Sequence, residues 1–401
     1  MSNSNPIILA FSGGLDTSFC VPWLKETYNR PVITATVNTG GLDAVAATAL
    51  EQRALALGAV EHVLVEARPA FFDDVIRYLI MGNVRRGNLY PLCVGSERGL
   101  QATQLARLAM DRGSSTVAHG CTAAGNDQVR FEIALKTLAP ELETLAPVRD
   151  HSWARQDQLD FLSERKLPPP ATGSEYSINR GLWGVTIGGA ETLDSKSTIP
   201  EAAWVLSSGA LTQPKAPSQI TVDFEQGVPV AVNGQFMEPV TLIEQLEALG
   251  AEYAIGRGIH LGDTILGTKG RVAFEAPAAE ILLTAHRELE KLTLSQNQQR
   301  IKEGVAQSYG DLVHEGRQLD PVCRDIEALL ESSQTMVTGQ VHLTLGPGHL
   351  FVTGVESPHS LLAATRGTYG EAAGEWTAED AVGFSRILAL PGMLQSRARG
   401  Q

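Results

Sequence analysis

Cysteine is scarce and unpatterned: Cys20, Cys93, Cys121 and Cys323 stand apart in 401 residues, with no Cys-x-x-Cys spacing. That excludes a disulfide-built scaffold and suits a reducing compartment, with each thiol packed or idle. Long apolar runs are missing as well. No stretch approaches the roughly 18 residues needed to span a bilayer. The opening MSNSNPIILAF has neither a basic segment nor a small-residue cleavage site, so a cytoplasmic protein with no membrane partner is expected. Positive charge is in deficit. With 32 Lys and Arg against 45 Asp and Glu, the net charge is −13, which argues against a nucleic-acid partner held by its phosphates. A local basic pocket for small anions remains compatible with that balance. No internal repeat is present, and no residue is assigned as the ligand of a protein-bound metal.

What remains is ample apolar material, 43% of the chain, in a length that favours two domains and a tail. Over the first 150 residues, short β-rich runs at 7–11, 32–38, 61–66, 116–122 and 144–149 alternate with helix-period segments at 46–57, 71–81, 101–112 and 128–138. The strands are apolar throughout rather than alternating, as in a parallel sheet covered on both faces. This predicts an α/β, doubly wound parallel-sheet domain whose ligand crevice lies at the carboxyl ends of its strands. Lys166-Leu167-Pro168-Pro169-Pro170 breaks the pattern and reads as a junction. Beyond it, paired runs at 219–224 and 228–232, and at 337–345 and 349–355, flank Gly-containing loops and read as hairpins. Helical stretches at 278–294, 324–332 and 378–388 make this second part α+β. The tail carries Arg397 and Arg399.

Two strings carry chemistry. The first, Ser12-Gly13-Gly14-Leu15-Asp16-Thr17-Ser18, follows the first strand and opens a helix. Glycines permit a tight turn there, and unpaired amides with the positive helix end suit phosphate oxygens. There is no lysine at Walker spacing and no GxGxxG. The second, His119-Gly120-Cys121-Thr122-Ala123-Ala124-Gly125-Asn126-Asp127-Gln128-Val129-Arg130-Phe131-Glu132, again leaves a strand end and opens a helix. Thr122, Asn126 and Asp127 are short polar groups able to hold an amino acid's charged ends. Arg130, one turn beyond Asn126, shares its face.

The first string resembles the signature of the PP-loop ATP pyrophosphatases. The second is similar, almost residue for residue, to the HGxTGKGNDQVRFE stretch of argininosuccinate synthases, with Ala124 in place of the usual lysine. The resemblance implies contacts to ATP from Ala10, Phe11, Ser12, Gly13, Gly14, Leu15, Asp16, Thr17, Ser18, Val37 and Gly120. It implies that Thr122, Asn126 and Asp127 bind aspartate, and that Tyr90, Asn126, Arg130, Ser177, Thr186, Gly262 and Phe274 line the citrulline site. The domains it implies are a PP-loop nucleotide-binding domain at 1–166, a synthetase and multimerisation domain at 167–375 and a C-terminal helical tail at 376–401, in a homotetramer. The implied reaction consumes ATP with Mg2+ and joins citrulline to aspartate through citrullyl-AMP, releasing AMP and pyrophosphate in arginine biosynthesis.

No general base is evident; His119 is the nearest titratable group. Asp16 serves either Mg2+ or the helix start. The chain departs from the pattern at several places. Cys93-Val94-Gly95 replaces a Gly-Thr-Ser-like run, with Ser96 adjacent, and Asn179-Arg180 replaces an Asp-Glu pair. Phe274 stands at a tyrosine position, and Gly262, next to Asp263, at a glutamate position. Loss of that carboxylate raises the alternative of an Nα-acylated citrulline as acceptor, beside the simpler reading of sequence drift. A further alternative is a nucleotide-binding protein without catalysis.

Overall fold

The computed structural model describes residues 5–169 and 175–400; Pro170, the last residue of the expected junction, lies outside them. Five parallel strands form the first sheet: β1 (Ile7–Ala10), β2 (Val32–Asn38), β3 (Glu61–Glu66), β4 (Thr116–Ala118) and β5 (Glu143–Leu145), in the order β3-β2-β1-β4-β5. The chain winds outward in both directions from β1. The carboxyl ends of β1 and β4 therefore flank the crevice where such sheets bind ligands.

Side-chain alternation explains the apolar runs. Ile7, Leu9 and Phe11 pack with Phe19 and Trp23 of the helix Leu15–Tyr28 and with Leu162, whereas Ile8 packs with Leu105 and Phe131 on the opposite face. The helix Leu15–Tyr28 runs unbroken through Pro22.

Element ends differ from expectation in instructive ways. β4 stops at Ala118, short of 122, because the chain leaves the ladder at the glycine-bearing second signature. β5 stops at Leu145, not 149. Pro147 opens the helical turn Pro147–Asp150, where proline's fixed φ is favourable, and Asp150 accepts from the Ala146 amide at 3.2 Å. The helix expected at 71–81 begins at Arg68 and contains a wider turn, Phe72–Ile76.

The later part holds two antiparallel sheets among the described residues. One pairs β6 (Tyr176–Gly181), β7 (Gly184–Gly189), β11 (Arg257–Asp263) and β12 (Lys269–Glu275) in the order β11-β12-β7-β6. The other joins β8 (Ser218–Glu225), β9 (Val228–Val232), β10 (Gln235–Phe236), β13 (Gly339–Gly346) and β14 (His349–Glu356) in the order β10-β9-β8-β13-β14. Both expected hairpins are present; in the first, Gln226 and Gly227 take positive φ, as tight hairpin turns require. Beside the expected helices, Gln296–His314 was not anticipated. Ser295 and Gln298 form a reciprocal capping box at its start.

The largest apolar cluster unites this later part with residues contributed by 67–100, including Phe71, Ile76 and Leu92 beside Trp183, Leu282 and Tyr309. That shared core lays the antiparallel sheets across the carboxyl end of the parallel one. The Leu182 amide donates to Thr39 O at 2.8 Å. The seam is tight: a Cβ on Gly40, whose φ is +119°, would stand 2.2 Å from the Leu182 nitrogen. The helices Ala378–Leu388 and Leu390–Ala398 bury no residue, leaving Phe384, Ile387, Leu388 and Met393 exposed. Among the described residues, no helix is long and apolar enough to cross a membrane.

Candidate active site

A cavity of about 500 Å³ opens at the ends of β1, β2 and β4, lined by Ala10, Phe11, Ser12, Gly14, Asp16, Thr17, Val37 and Gly120 among others. Gly14 is the extended residue before the helix Leu15–Tyr28 and has no capping side chain, so the first-turn amides point into the crevice unmasked. Gly13 makes the turn possible twice over. Its φ is +75°, and a Cβ there would lie 2.4 Å from Leu50 Cδ2. Beneath the loop, Ser18 Oγ donates to Gly13 O at 3.3 Å and accepts from Arg53 Nε at 3.0 Å. The two signatures touch: a Cβ on Gly120 would be 3.0 Å from Thr17 Cγ2.

A second cavity of about 250 Å³ adjoins the first, and Arg98, Asp127 and Asn179 line both. Its wall includes Tyr90, Asn126, Arg130, Thr186, His260, Gly262 and His314. Asn179 and Thr186 are register partners on β6 and β7. Asn126 Oδ1 accepts from the Ile265 amide at 3.0 Å, tying the second signature to the loop between β11 and β12.

Charge at the joint is tightly organised. Asp127 accepts from Arg98 Nε at 3.0 Å and from Arg130 Nη1 at 2.8 Å. Burial alone would raise its carboxyl, but Arg98 and Arg130 overcome that and hold it at about 2. Arg98 also donates to Glu97 Oε1 at 3.0 Å, Gln101 at 2.9 Å and Asn179 Oδ1 at 3.2 Å. Glu97 is 2% exposed, and burial pushes its carboxyl up to about 7 against the pull of Arg98. Arg130 Nε donates to His314 O at 2.8 Å.

His119 is buried, with its pKa lowered to about 4 by burial and then by Arg149, which makes it a neutral, poorly basic group. Burial raises the thiols of Cys93 and Cys121, the latter to about 12, so neither is a ready nucleophile.

Six of the residues expected at the site line neither cavity: Gly13, Leu15, Ser18, Thr122, Ser177 and Phe274. Gly13, Leu15 and Ser18 shape the loop from below. Thr122 and Ser177 are exposed. Phe274 is buried behind Tyr90, ring centroids 5.2 Å apart. Ser96, the neighbour considered for a missing hydroxyl, is fully buried and donates to Cys93 O instead. Glu97, His260 and His314 escaped sequence reasoning, being contributed by separate segments without a local motif.

Comparison with known proteins accords with this geometry. The family model for the arginosuccinate synthase N-terminal HUP domain matches residues 6–168, and that for the arginosuccinate synthase C-terminal domain matches residues 176–395. The chain belongs to the argininosuccinate synthase family. Relatives named argininosuccinate synthase include those of Xanthomonas campestris, 39% identical over 98% of this chain and 99% of the relative, and Dehalococcoides mccartyi, 37% identical over 98% and 97%. Another from Symbiobacterium thermophilum is 37% identical over 96% of both chains.

Within this family framework, the altered positions compensate in part. Asn179 stands where the resemblance puts an acid, and Glu97 supplies Arg98 with a carboxylate from the other side. Arg180 pairs with Glu247 at 2.8 Å. Gly262 has no such compensation: the adjacent Asp263 is engaged by Lys269.

Proposed function

We infer that this chain is an ATP-dependent, AMP-forming ligase that joins the amine of aspartate to the ureido carbon of citrulline, giving argininosuccinate for arginine biosynthesis. The observation that carries this reading is the joining of a phosphate-suited cavity to a small polar one at Arg98, Asp127 and Asn179. A protein that merely held a nucleotide would have no use for the second cavity.

A ureido oxygen is a poor leaving group and must first be activated. It attacks the α-phosphorus of ATP, displacing pyrophosphate; the aspartate amine then attacks the ureido carbon, and AMP departs with the oxygen. The first-turn amides after Gly14, with Ser12 and Thr17, receive the pyrophosphate oxygens as their charge develops. Asp127, kept ionised by two guanidiniums, and Asn126 orient aspartate's ammonium, while Arg130 and Tyr90 hold the acceptor beside the α-phosphate.

Asp16 lines the nucleotide cavity at the helix start, and its carboxylate oxygen is the hard donor that Mg2+ prefers, directly or through water. When bound, such an ion would neutralise phosphate charge. The required assay is pyrophosphate release dependent on both aspartate and acceptor; release without aspartate at the same rate would contradict ligation.

The exposed apolar faces of Ala378–Leu388 and Leu390–Ala398 support a homo-oligomer, of the tetrameric kind the resemblance implies, in which these helices clasp another copy. The four free cysteines accord with a cytoplasmic setting. Light scattering on a chain ending at Trp376 should report a smaller assembly than the full chain; an unchanged mass would remove the tail from the interface.

A further inference from the structure

The ligase reading fixes which way citrulline lies. Its ureido oxygen must reach the α-phosphorus, so the ureido end belongs at the joint, where Arg98, Asp127 and Asn179 line both cavities. The α-amino end then falls at the far end of the smaller cavity, among His260, Gly262, Gly270 and Val272, which line that cavity alone. An α-ammonium leaving water needs a hydrogen-bond acceptor there. Asp127, at the joint, is taken by the ammonium of aspartate in that reading. Asp263 is exposed and pairs with Lys269, and strand alternation turns it to the face opposite Gly262.

His260 stands two residues before Gly262, hence on the same face of β11. Packing alone sets its place. The ring stacks on Tyr90, with centroids 5.4 Å apart and planes 20° from parallel. A Cβ on Gly87 would be 3.3 Å from its Cε1 and 3.7 Å from its Nδ1, whereas a Cβ on Gly262 would be 2.5 Å from its Nε2. Nδ1 thus faces the chain at Gly87, and Nε2 leans over Gly262. Across the ladder Gly262 pairs with Gly270, so no side chain rises from either strand beside Nε2.

Two observations mark this ring for a ligand. Neither nitrogen has a hydrogen-bond partner among the described residues, yet neither is sealed from solvent; the side chain is half-buried on the cavity wall. A polar group held in place by packing and left unsatisfied is prepared for a partner from outside the chain. Burial and the Arg86 guanidinium also lower its pKa, so at neutral pH the ring is uncharged and keeps one lone pair. An ammonium can only donate, and it therefore selects the tautomer with the proton on Nδ1 and the lone pair on Nε2.

We propose that His260 binds the α-ammonium of citrulline, with Nε2 accepting a hydrogen bond from it in the space above Gly262. The ring takes the place that a carboxylate on residue 262 would fill, so free citrulline is accommodated without one. The proposal rests on the ligase reading and deepens it by one contact to the acceptor; the bonds made and broken are those of ligation.

The test measures pyrophosphate release by the full chain with ATP, Mg2+ and aspartate. L-citrulline is the substrate, and 5-ureidopentanoate, which lacks the α-amine, is its competitor. His260→Phe keeps a ring to stack on Tyr90 and removes both nitrogens. It should lower kcat/KM for citrulline roughly tenfold or more, chiefly through KM, as expected for a hydrogen bond to a charged group. The KM for ATP and the inhibition constant of 5-ureidopentanoate should stay within about twofold, since neither ligand presents an ammonium to residue 260. The double variant His260→Ala, Gly262→Glu places a carboxylate in the vacated space and should use citrulline better than His260→Ala alone. A loss under about threefold in His260→Phe, or an equal weakening of citrulline and its competitor, overturns the assignment of His260 to the ammonium. Absence of citrulline-dependent pyrophosphate release by the unaltered chain overturns the ligase reading itself, and this contact with it.

Discussion

Replacing Glu97 by glutamine isolates the consequence of one buried charge. Its Oε1 meets Arg98, while Oε2 is buried against Gly181, where a Cβ would be 2.3 Å away. Burial raises the carboxyl from 4.5 to about 7 despite Arg98. At about 1.4 kcal/mol per tenfold change in proton affinity, the rise corresponds to about 3 kcal/mol. The sign follows from linkage. Below pH 4.5 the group is protonated in both states, and its contribution to stability is fully present. As pH rises through 7 the unfolded chain has already released the proton, and that contribution is lost. Glutamine has nearly the same shape and no proton to lose. The two proteins should therefore melt alike near pH 4.5–5, and the glutamine variant should melt higher at pH 8, by roughly 6–12 °C for a domain of this size. Thermal melts followed by circular dichroism from pH 5 to 8 at constant ionic strength measure this directly. Parallel melting curves for the two proteins, or a less stable variant at pH 8, would falsify the account of Glu97 as a penalised charge.

Gly13→Ala forces a Cβ onto a residue at φ +75° and against Leu50. It should cost about 1–2 kcal/mol of stability and weaken nucleotide binding; titration with a fluorescent ATP analogue checks the second effect, and unaltered affinity would show that the turn tolerates it. Arg130→Ala leaves Asp127 with Arg98 alone and strips donors from His314. Acceptor kcat/KM should fall roughly a hundredfold, the lower end of the cost of exposing one partner of a buried charge pair. Steady-state kinetics with ATP saturating would show it, and a loss under threefold would count against a role for Arg130 in acceptor binding.

The doubly wound domain was legible because its signals are local: apolar strand runs, glycines at strand ends and helix starts that follow them. The two signatures lie at the ends of adjacent strands, β1 and β4, so their meeting at Gly120 and Thr17 follows once the strand order is known. Short-range competition blurred the ends. Pro147 turned the second half of an apparent strand into a helical turn, and the capping box at Ser295 and Gln298, a readable start signal, passed unnoticed. The acceptor cavity was least legible. His260 comes from β11 and His314 from the end of a helix about fifty residues later; only the shared core brings them beside Arg130. Position by position, the departures at Gly262 and Phe274 looked alike, yet Gly262 lines the cavity and Phe274 supports Tyr90 from behind.

The most direct test of ligation follows one oxygen atom. With the acceptor's ureido oxygen labelled by 18O, the enzyme is incubated with ATP, Mg2+ and aspartate, and AMP, pyrophosphate and the amino-acid product are analysed by mass spectrometry. Attack of that oxygen on the α-phosphorus predicts one 18O in each AMP, none in pyrophosphate, and a product with the aspartate nitrogen in its place. Label retained in the acceptor-derived product, or AMP formed without label, would contradict the joining of the two cavities into a single adenylating and ligating site.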